Sequence, residues 1–227
     1  MDFARTIHEA TPLLLVGLQM TVLSSVISIA IGILIGFFSC LMSISRFRIL
    51  KVISGIYIWV IRGTPMLVQA LTIYFGVPQL ISMVITGFRL DVFTASIITL
   101  SLNAGAYLSE IFRGGIAAVD VGQSEAARSL GLSSARTMVK VILPQAIKIA
   151  IPSMVNQFII TTKDTSILSA IGFAELVNKA RVYVGKTYQF FATYSLVALY
   201  YLAIISILMI VLKQVEKKLN YERKDYR

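Results

Sequence analysis

Charged residues divide this chain into long apolar stretches. The run from Ala10 to Ser45 contains no Asp, Glu, Lys, Arg or His, and it exceeds the roughly 20 residues that a membrane-spanning helix needs. Two further uncharged runs extend from Val92 to Ser109 and from Tyr188 to Leu212. We therefore expect a transmembrane helix in each of these three stretches.

The second span in chain order is expected to be broken. An apolar run begins near Leu50, is interrupted at Arg62-Gly63-Thr64-Pro65, and resumes to about Phe75. Pro65 has no N–H to donate to the carbonyl of Ile61, and the neighbouring glycine is flexible. This pattern predicts a kink or a break within the interrupted segment.

The fourth span is predicted to be short and to contain charge. The uncharged run from Ile149 to Thr162 would be about 21 Å long as a helix, whereas the hydrocarbon core of a bilayer is roughly 30 Å thick. Beyond it come Lys163 and Asp164, followed by another uncharged run from Thr165 to Ala174. We therefore expect Lys163 and Asp164 to be embedded in the membrane.

The composition agrees with a polytopic membrane protein. Hydrophobic residues make up 57% of the chain and the mean hydropathy is +0.81, against an apolar share of about 45 to 50% in ordinary globular domains. The single cysteine, Cys40, excludes a disulfide framework and is expected to be a small packing residue. Residues 1–12 lack the features of a secretory signal, so the first apolar run is expected to remain as a span. The predicted fold is all-α, with five transmembrane helices within residues 13–215.

The distribution of Lys and Arg predicts the orientation. Fourteen of them lie in the loop 46–51, the segment 113–148 and the tail from Lys213, and six lie in the amino end, at Arg89 and in the segment 163–186. Since Lys and Arg favour the cytoplasmic side, we expect the amino end outside and a basic tail, residues 216–227, in the cytoplasm. The net charge of +10 is then a topology signal and a contact for anionic lipid. No basic sheet or recognition helix indicates nucleic-acid binding.

Small residues recur at intervals of four on the first span, as Ser28, Gly32, Gly36 and Cys40. Such a ridge allows the backbone of another helix to approach closely. We expect another span to pack against it.

Polar residues within the spans are candidates for a transport path, because uncompensated polar groups in hydrocarbon are costly and usually face a wet cavity or the bundle interior. The third and fourth spans each carry such residues on one helix face. Two stripes of this kind can enclose a hydrophilic cavity. The candidates are Asn103, Tyr107 and Glu110 on the third span, Ser153, Asn156, Gln157, Thr161 and Asp164 on the fourth, Arg62 and Thr64 at the break, and Gln19 on the first.

Charge suggests roles for these residues. Asp164 can attract an ammonium group or a basic side chain, and Arg62 beside the free backbone groups of a broken helix can bind a carboxylate. The structural alternatives are an ion pair of Asp164 with Lys163 or Arg62, and a pair of Glu110 with Arg113 at i+3. The sequence leaves both alternatives open.

A polar, basic island separates the third and fourth spans. Residues 123–130 are compatible with a short helix, and Gly131 is placed to end it in the left-handed conformation. Ser133 can cap a second helix that runs through Met138 toward Leu143. Two short helices with a glycine elbow predict a rigid plug, and the alternative is an amphipathic loop on the membrane surface.

The island has the pattern E-A-A-x3-G-x9-(I/V)-x-L-P, from Glu125 to Pro144. This pattern resembles the cytoplasmic coupling loop of ABC importer permeases. Across roughly residues 12–215, the chain is similar to the permeases that import polar amino acids of the histidine, glutamine and arginine type. Besides the break, the segments that carry this resemblance are Glu110-Ile111-Phe112-Arg113-Gly114-Gly115-Ile116, Gly122-Gln123 and Lys163-Asp164-Thr165-Ser166.

The resemblance implies the fold, the partners and the mechanism. A type I ABC importer permease has five core spans and pairs with a second copy or a related permease in the prokaryotic inner membrane. It works by alternating access, driven by two ATPase subunits and supplied by an extracytoplasmic amino-acid-binding protein. The coupling loop would be residues 120–144. The residues that would contact the ATPase are Glu125, Ala126, Ala127, Arg128, Leu130, Gly131, Ser133 and Pro144.

No enzyme chemistry is expected within the chain. Gly185-Lys186-Thr187 matches the end of a phosphate-binding loop, but Ala180 occupies the position of the first glycine. His8 is the single histidine, so zinc sites and catalytic triads lack support. We expect no cofactor in this chain, with ATP and Mg²⁺ bound by the partner ATPase. An ATP-independent channel or secondary transporter, and a membrane scaffold that recruits a cytoplasmic partner, remain as other functions.

Overall fold

The computed structural model describes the backbone of residues 3–224 and the side chains of residues 3–218. These residues form helices and contain no β-strand. A π-helical turn, Thr72–Gly76, joins α3 to α4, a second, Met138–Ile142, joins α7 to α8, and a 3-10 helix, Thr165–Ile171, follows α8. The α-helices are α1 Phe3–Ile44, α2 Arg48–Gly63, α3 Met66–Leu71, α4 Val77–Ser82, α5 Val92–Ala117, α6 Val121–Ser129, α7 Ser134–Thr137, α8 Leu143–Asp164, α9 Leu176–Thr187 and α10 Phe190–Lys224. The ends of the predicted terminal regions, residues 1–2 and 225–227, lie outside the described residues.

Four helical stretches are long and apolar enough to cross a membrane by themselves. They are Phe3–Ile44, Val92–Ala117, Ser134–Ile171 and Phe190–Lys218. The two limbs Arg48–Gly63 and Met66–Ser82 make a fifth candidate if they count as one span, and they meet at an angle of 107°. The predicted break is therefore present, but the second limb runs on beyond the expected end at Phe75.

The fourth span is longer than its uncharged run. Helix α8 begins at Leu143 and has 22 residues, which corresponds to about 33 Å. Lys163 and Asp164 are its last two residues, and the 3-10 helix follows directly. The prediction that these two residues must be embedded in the membrane depended on a helix starting near Ile149. However, these roughly 33 Å include Lys148 as well as Lys163 and Asp164, so no stretch of α8 as long as the hydrocarbon core is free of charge. The embedding of Lys163 and Asp164 therefore stays a prediction.

Both π-helical turns end two residues before a proline, Pro78 in one case and Pro144 in the other. A proline has no N–H, and its ring crowds the carbonyl four residues back. A π-helical turn is wider than an α-helical one, and its hydrogen bonds reach five residues back. In the turn Met138–Ile142, Leu143 accordingly donates its N–H to the carbonyl of Met138. The second helix of the island therefore does not end near Leu143 but continues into α8.

The most extensive helix packing is between α1 and α5. A Cβ atom at Gly36 would lie 2.8 Å from the Cβ of Leu108 and 2.9 Å from the carbonyl oxygen of Gly105. A Cβ at Gly32 would lie 3.0 Å from the Cβ of Ala104. Ser28 and Cys40 are also buried, so the predicted small-residue ridge is confirmed.

Three serines, one each on α1, α2 and α5, form hydrogen bonds with one another. Ser39 on α1 and Ser54 on α2 have their hydroxyl oxygens 2.9 Å apart, and Ser54 donates to the Ser39 carbonyl at 2.8 Å. Ser109 on α5 donates to the Ser39 hydroxyl at 3.1 Å. All three are buried, so these hydrogen bonds join α1, α2 and α5 without exposing polar atoms to lipid.

Helix α9 and the α6–α7 segment lie at opposite ends of the bundle. Leu176 and Ala180 of α9 pack against Ala10 and Leu14 in the first half of α1. At the other end, Val119, Ile142 and Ala146 form a separate apolar cluster beneath α6 and α7. The ridge at Gly36 contacts the second half of α5, which leads into α6.

The ridge generates a test of the fold. Gly36→Val should destabilise the protein by about 1–3 kcal/mol, because the new side chain meets backbone atoms of α5 that cannot move aside. Gly55→Val is the matched control, since a Cβ at Gly55 has no neighbour within 4 Å. Thermal unfolding of the two purified variants in detergent measures the difference. Equal stability of both variants would contradict the close packing of α1 on α5.

Candidate functional site

The break between α2 and α3 is held by a single amide side chain. The Gln69 Nε2 group donates to the carbonyl of Ile61 at 2.7 Å, which is the carbonyl that Pro65 cannot satisfy. It also approaches the carbonyl and the hydroxyl of Thr64, at 3.0 and 2.9 Å. The side chain of Gln69 thus replaces the missing backbone donor.

The same glutamine connects the break to α5. Its Oε1 atom accepts a hydrogen bond from the Asn103 Nδ2 group at 3.3 Å. Gln69 and Asn103 are both buried, with 7% of their surface exposed. Asn103 therefore lies at the break, as part of a polar cluster within the bundle. From the sequence, Gln69 was only a weak candidate for the transport path. Its role as the hydrogen-bond donor to the Ile61 carbonyl was not predicted, although that unpaired carbonyl requires a donor.

Arg62 lies beside the polar stripe of α5. Its Nη1 atom is 3.5 Å from the Glu110 Oε2 atom, and its guanidinium lies 5.1 Å from the ring centroid of Tyr107. Glu110 also accepts two hydrogen bonds from Arg113, at 2.9 and 2.7 Å. Two guanidinium groups therefore share one carboxylate, and this cluster has a net positive charge. The ion pair of Glu110 with Arg113, which the sequence left open as a structural alternative, is therefore present.

The stripe on α8 is divided between the interior and the surface. Gln157 and Thr161 are buried, and the Gln157 Nε2 atom lies 3.5 Å from the Thr161 hydroxyl on the same helix. Ser153 and Asn156 are exposed. Among the described residues, no hydrogen bond joins this stripe to the stripe on α5. A hydrophilic cavity enclosed by the two stripes stays a prediction.

The cleft between α1, α5 and α8 is apolar. It has a volume of about 230 Å³, and its lining includes Phe37, Phe112 and Met154 but no candidate path residue. Gln19 lies in the first half of α1, in an exposed groove with Leu15 and Val22. The structure does not bring Gln19 together with the other candidates.

Asp164 is half-buried at the end of α8. No ion pair within 4 Å involves it among residues 3–218, and Arg62 is paired with Glu110 instead. Lys163 is exposed. The pairing alternative for Asp164 is thus absent from the described part of a single chain.

The α6–α7 segment forms the predicted glycine elbow. Asp120 caps α6 by accepting a hydrogen bond from the N–H of Gly122 at 2.7 Å. At the other end, Gly131 has a φ of 82°, and Leu132 donates to the carbonyl of Ala127 at 3.1 Å. This is the Schellman arrangement, which ends a helix with a left-handed glycine. The expected helix and its glycine stop are confirmed.

The elbow is exposed at its tip and anchored at its base. Leu130 is 84% exposed and Val121 68% exposed, whereas Ala127 is buried. Gln145 at the start of α8 donates to the Val141 carbonyl at 2.9 Å, and its amide lies 3.4 Å from the Gln123 side chain of α6. The other proposed contact residues, Glu125, Ala126, Arg128, Gly131, Ser133 and Pro144, are exposed. Ser133 does precede α7, but its side chain makes no capping hydrogen bond, so that detail was wrong.

The segment Gly185-Lys186-Thr187 is the last turn of α9. A phosphate-binding loop precedes a helix and wraps the phosphate with its backbone N–H groups. Here the backbone is already helical.

Comparison with known proteins decides the family. The family model described as the inner membrane component of binding-protein-dependent transport systems matches residues 28–221. This chain belongs to that family. It is therefore the permease component of such a transport system and has its place in the inner membrane.

Relatives in this family cover almost the whole chain. The arginine transport system permease protein ArtQ of Bacillus subtilis (strain 168) is 39% identical over 220 residues, which cover 97% of this chain and 98% of ArtQ. The glutamine transport system permease protein GlnP of Escherichia coli (strain K12) is 37% identical over 214 residues, covering 94% and 96%. The predicted resemblance to permeases for polar amino acids is confirmed.

Solved structures share the fold. A chain from the crystal structure of an amino acid ABC transporter with histidines has a TM-score of 0.90 and 41% identity, over 96% of this chain and 99% of that chain. A chain of the inward-facing MetNI methionine ABC transporter, at 16% identity, has a TM-score of 0.73 and shows the fold alone. The all-α architecture of an ABC importer permease is confirmed.

The amide at the break generates a second test. Gln69→Leu should destabilise the protein by about 1–3 kcal/mol for each buried group that stays unsatisfied, and these include the Ile61 carbonyl and the Asn103 amide. Gln79→Leu makes the same change on the exposed surface of α4 and should have little effect. Thermal unfolding of both permease variants measures this. If the two variants are equally stable, Gln69 does not hold the break.

Proposed function

We propose that this chain is the permease of an ATP-driven importer of polar amino acids, powered by separate ATPase subunits through alternating access. The observation that carries this proposal is the α6–α7 elbow. The apolar side chain of Leu130, which is 84% exposed beside the glycine of the elbow, is costly in water and suits a cleft on a partner protein. ATP and Mg²⁺ would be bound by that partner, so the permease itself would not be an enzyme.

The elbow is built to transmit force. The Schellman turn at Gly131 fixes the angle between α6 and α7, and the helix then runs without a break from Ser134 into α8. A displacement of the ATPase would therefore move the helix that carries Gln157, Thr161 and Asp164. This linkage supports alternating access more than it supports an independent channel or a passive scaffold, which need no rigid connection.

A second permease subunit would complete the transport path. Tyr107 and Asn156 are exposed at the chain surface within candidate spans, where contact with lipid would be unfavourable. Arg62 leaves 41% of its side chain exposed on the same face as Tyr107. A facing copy, or a related permease, would enclose these groups in a wet cavity.

The charges of the path suit an amino acid. The cluster of Arg62, Glu110 and Arg113 has a net positive charge and would attract an α-carboxylate, and Asp164 would attract an ammonium group or a basic side chain. Thr64, Asn103, Gln157 and Thr161 would supply further hydrogen bonds. The names of the relatives ArtQ and GlnP, arginine and glutamine permeases, support this substrate class.

The orientation follows from the distribution of charge. With the α6–α7 elbow in the cytoplasm, the amino end and α9 would face outward and the carboxyl tail inward, in accordance with the excess of Lys and Arg on the elbow side. A soluble binding protein would deliver the substrate to the outer end.

The elbow gives the decisive test. Gly131→Val requires a β-branched residue at a φ of 82°, which disfavours the elbow by about 1–2 kcal/mol or breaks it. We expect normal membrane insertion but loss of ATPase co-purification and of amino acid uptake. Gly114→Val is the matched control, because Gly114 is helical and a Cβ there has no neighbour within 4 Å.

Other outcomes of that experiment discriminate between functions. Unchanged ATPase association and uptake in Gly131→Val would contradict the proposal. Uptake that persists in the absence of any ATPase would indicate a channel or a secondary carrier. ATPase association without transport would indicate a scaffold.

The cationic cluster gives a test of the substrate path. Arg62→Gln should lower amino acid uptake about tenfold or more, because a charge-assisted hydrogen bond contributes roughly 1.5–3 kcal/mol, while Glu110 keeps its bidentate bond to Arg113. Arg62→Lys retains the charge and should be less impaired. Uptake into proteoliposomes containing the complete transporter measures both. Full activity of Arg62→Gln would remove Arg62 from the path.

A further inference from the structure

Helix α9 is held rigidly on the bundle by a buried carboxylate. Glu175 has no exposed surface, and it accepts hydrogen bonds from the N–H groups of Val177 and Asn178 at 2.8 and 2.7 Å. Tyr201 of α10 donates to the same carboxylate at 3.3 Å. Burial raises the pKa of Glu175, and these hydrogen bonds oppose that shift. The start of α9 is thereby fixed to the last span.

Helix α9 is also fixed to the first span. The Leu176 N–H donates to the Thr21 hydroxyl of α1 at 3.3 Å. A Cβ at Gly17 of α1 would lie 2.8 Å from the Leu176 Cα, so the two backbones are in close contact. Leu176 and Tyr183 are buried in the cluster between α1, α9 and α10. The apolar side of α9 is therefore buried against α1 and α10.

The outer side of α9 is cationic. Arg181 and Lys186 are exposed and Lys179 is half-buried. From residue 175 to 187 the only acidic residue is Glu175, and it is buried. The stem of Lys179 packs against Gly17 of α1. The two exposed cations, Arg181 and Lys186, are about 140° apart around the helix and so lie on the two flanks of its outer side. Glu175 interacts electrostatically with Arg181 but leaves Lys186 without an acidic partner on this helix.

The topology does not account for these cations. Lys and Arg are generally kept on the cytoplasmic side of a membrane protein, whereas α9 lies at the end opposite the elbow. An amphipathic helix that binds lipid turns an apolar face toward the membrane, but the apolar face of α9 is buried against α1 and α10. A soluble, negatively charged partner fits this surface better than a lipid headgroup does.

We infer that the outer face of α9, with Arg181 and Lys186 on its two flanks, is the docking surface for an acidic face of the soluble binding protein. This inference rests on the proposed function, which places α9 outside the cell. Arg181 also donates to the Ser169 carbonyl of the 3-10 helix at 3.2 Å. Docking on α9 therefore touches the segment that continues α8 beyond Asp164.

The test is a titration of the complete transporter, with its ATPase subunits, in nanodiscs of zwitterionic lipid. ATP hydrolysis is measured against the concentration of the amino-acid-loaded binding protein. Lys186→Glu should raise the half-saturating concentration about fivefold or more at low salt, and the difference should shrink at high salt. Lys186 has no recorded hydrogen bond or ion pair within the described side chains, so its replacement tests charge rather than folding. Arg181→Gln is the second variant and should act in the same direction.

Lys51→Gln, an exposed cation at the elbow end of the bundle, is the control and should leave the half-saturating concentration unchanged. Equal half-saturation of wild type and Lys186→Glu would overturn the inference. A shift that appears only when anionic lipid is added to the nanodiscs would also overturn it, in favour of a lipid contact. Failure of the proposed function looks different, because wild type itself would then neither bind the ATPase nor transport amino acids.

Discussion

The requirement that every backbone polar group in a membrane find a hydrogen-bond partner determines the architecture around the break. Pro65 leaves the Ile61 carbonyl without its helical donor, and the carboxamide of Gln69 takes that place at 2.7 Å. Because the donor comes from a side chain, the two limbs are free to meet at 107° rather than to continue in one line. The bend leaves Arg62 at the end of α2, beside Tyr107 and Glu110. The hydrogen bonding at the break thus determines the position of Arg62, a candidate for the transport path.

Close packing explains why the polar groups lie where they do. Gly32 and Gly36 let α1 approach α5 until only backbone and small side chains fit between them, so that interface has no room for a water-filled passage. The larger polar side chains of α5, Asn103 and Tyr107, are accordingly turned toward the break or toward the surface. This division supports a path between two permease chains rather than through the middle of one.

The presence of the helices, the end of α6 and the break after α2 were predictable from the sequence, because each has a local cause. Apolar runs specified the spans, Gly131 specified the stop of α6, and Pro65 specified the break. The partners of these positions were not predictable, because they depend on tertiary contacts: Gln69 with Asn103, Arg62 with Glu110, and Glu175 with Tyr201. The continuity of the second island helix with α8 was not predictable for a related reason. A π-helical turn, Met138–Ile142, precedes Pro144 and joins α7 to α8 in one helical segment.

That continuous segment is the physical link between the two ends of the molecule. It begins at the elbow with Ser134, passes the π-helical turn and α8, and continues through the 3-10 helix to Ile171, which lies beside α9. An α-helix resists compression along its axis, whereas a π-helical turn is a site of local adjustment in helix geometry. Under the proposed mechanism, a displacement at the elbow would therefore be carried along α8, with its bending concentrated at Met138–Ile142 and at Pro152 inside the helix. The candidate path residues Gln157, Thr161 and Asp164 all lie beyond Pro152, so they would move as one unit. This is what a change of access from one side to the other requires of them.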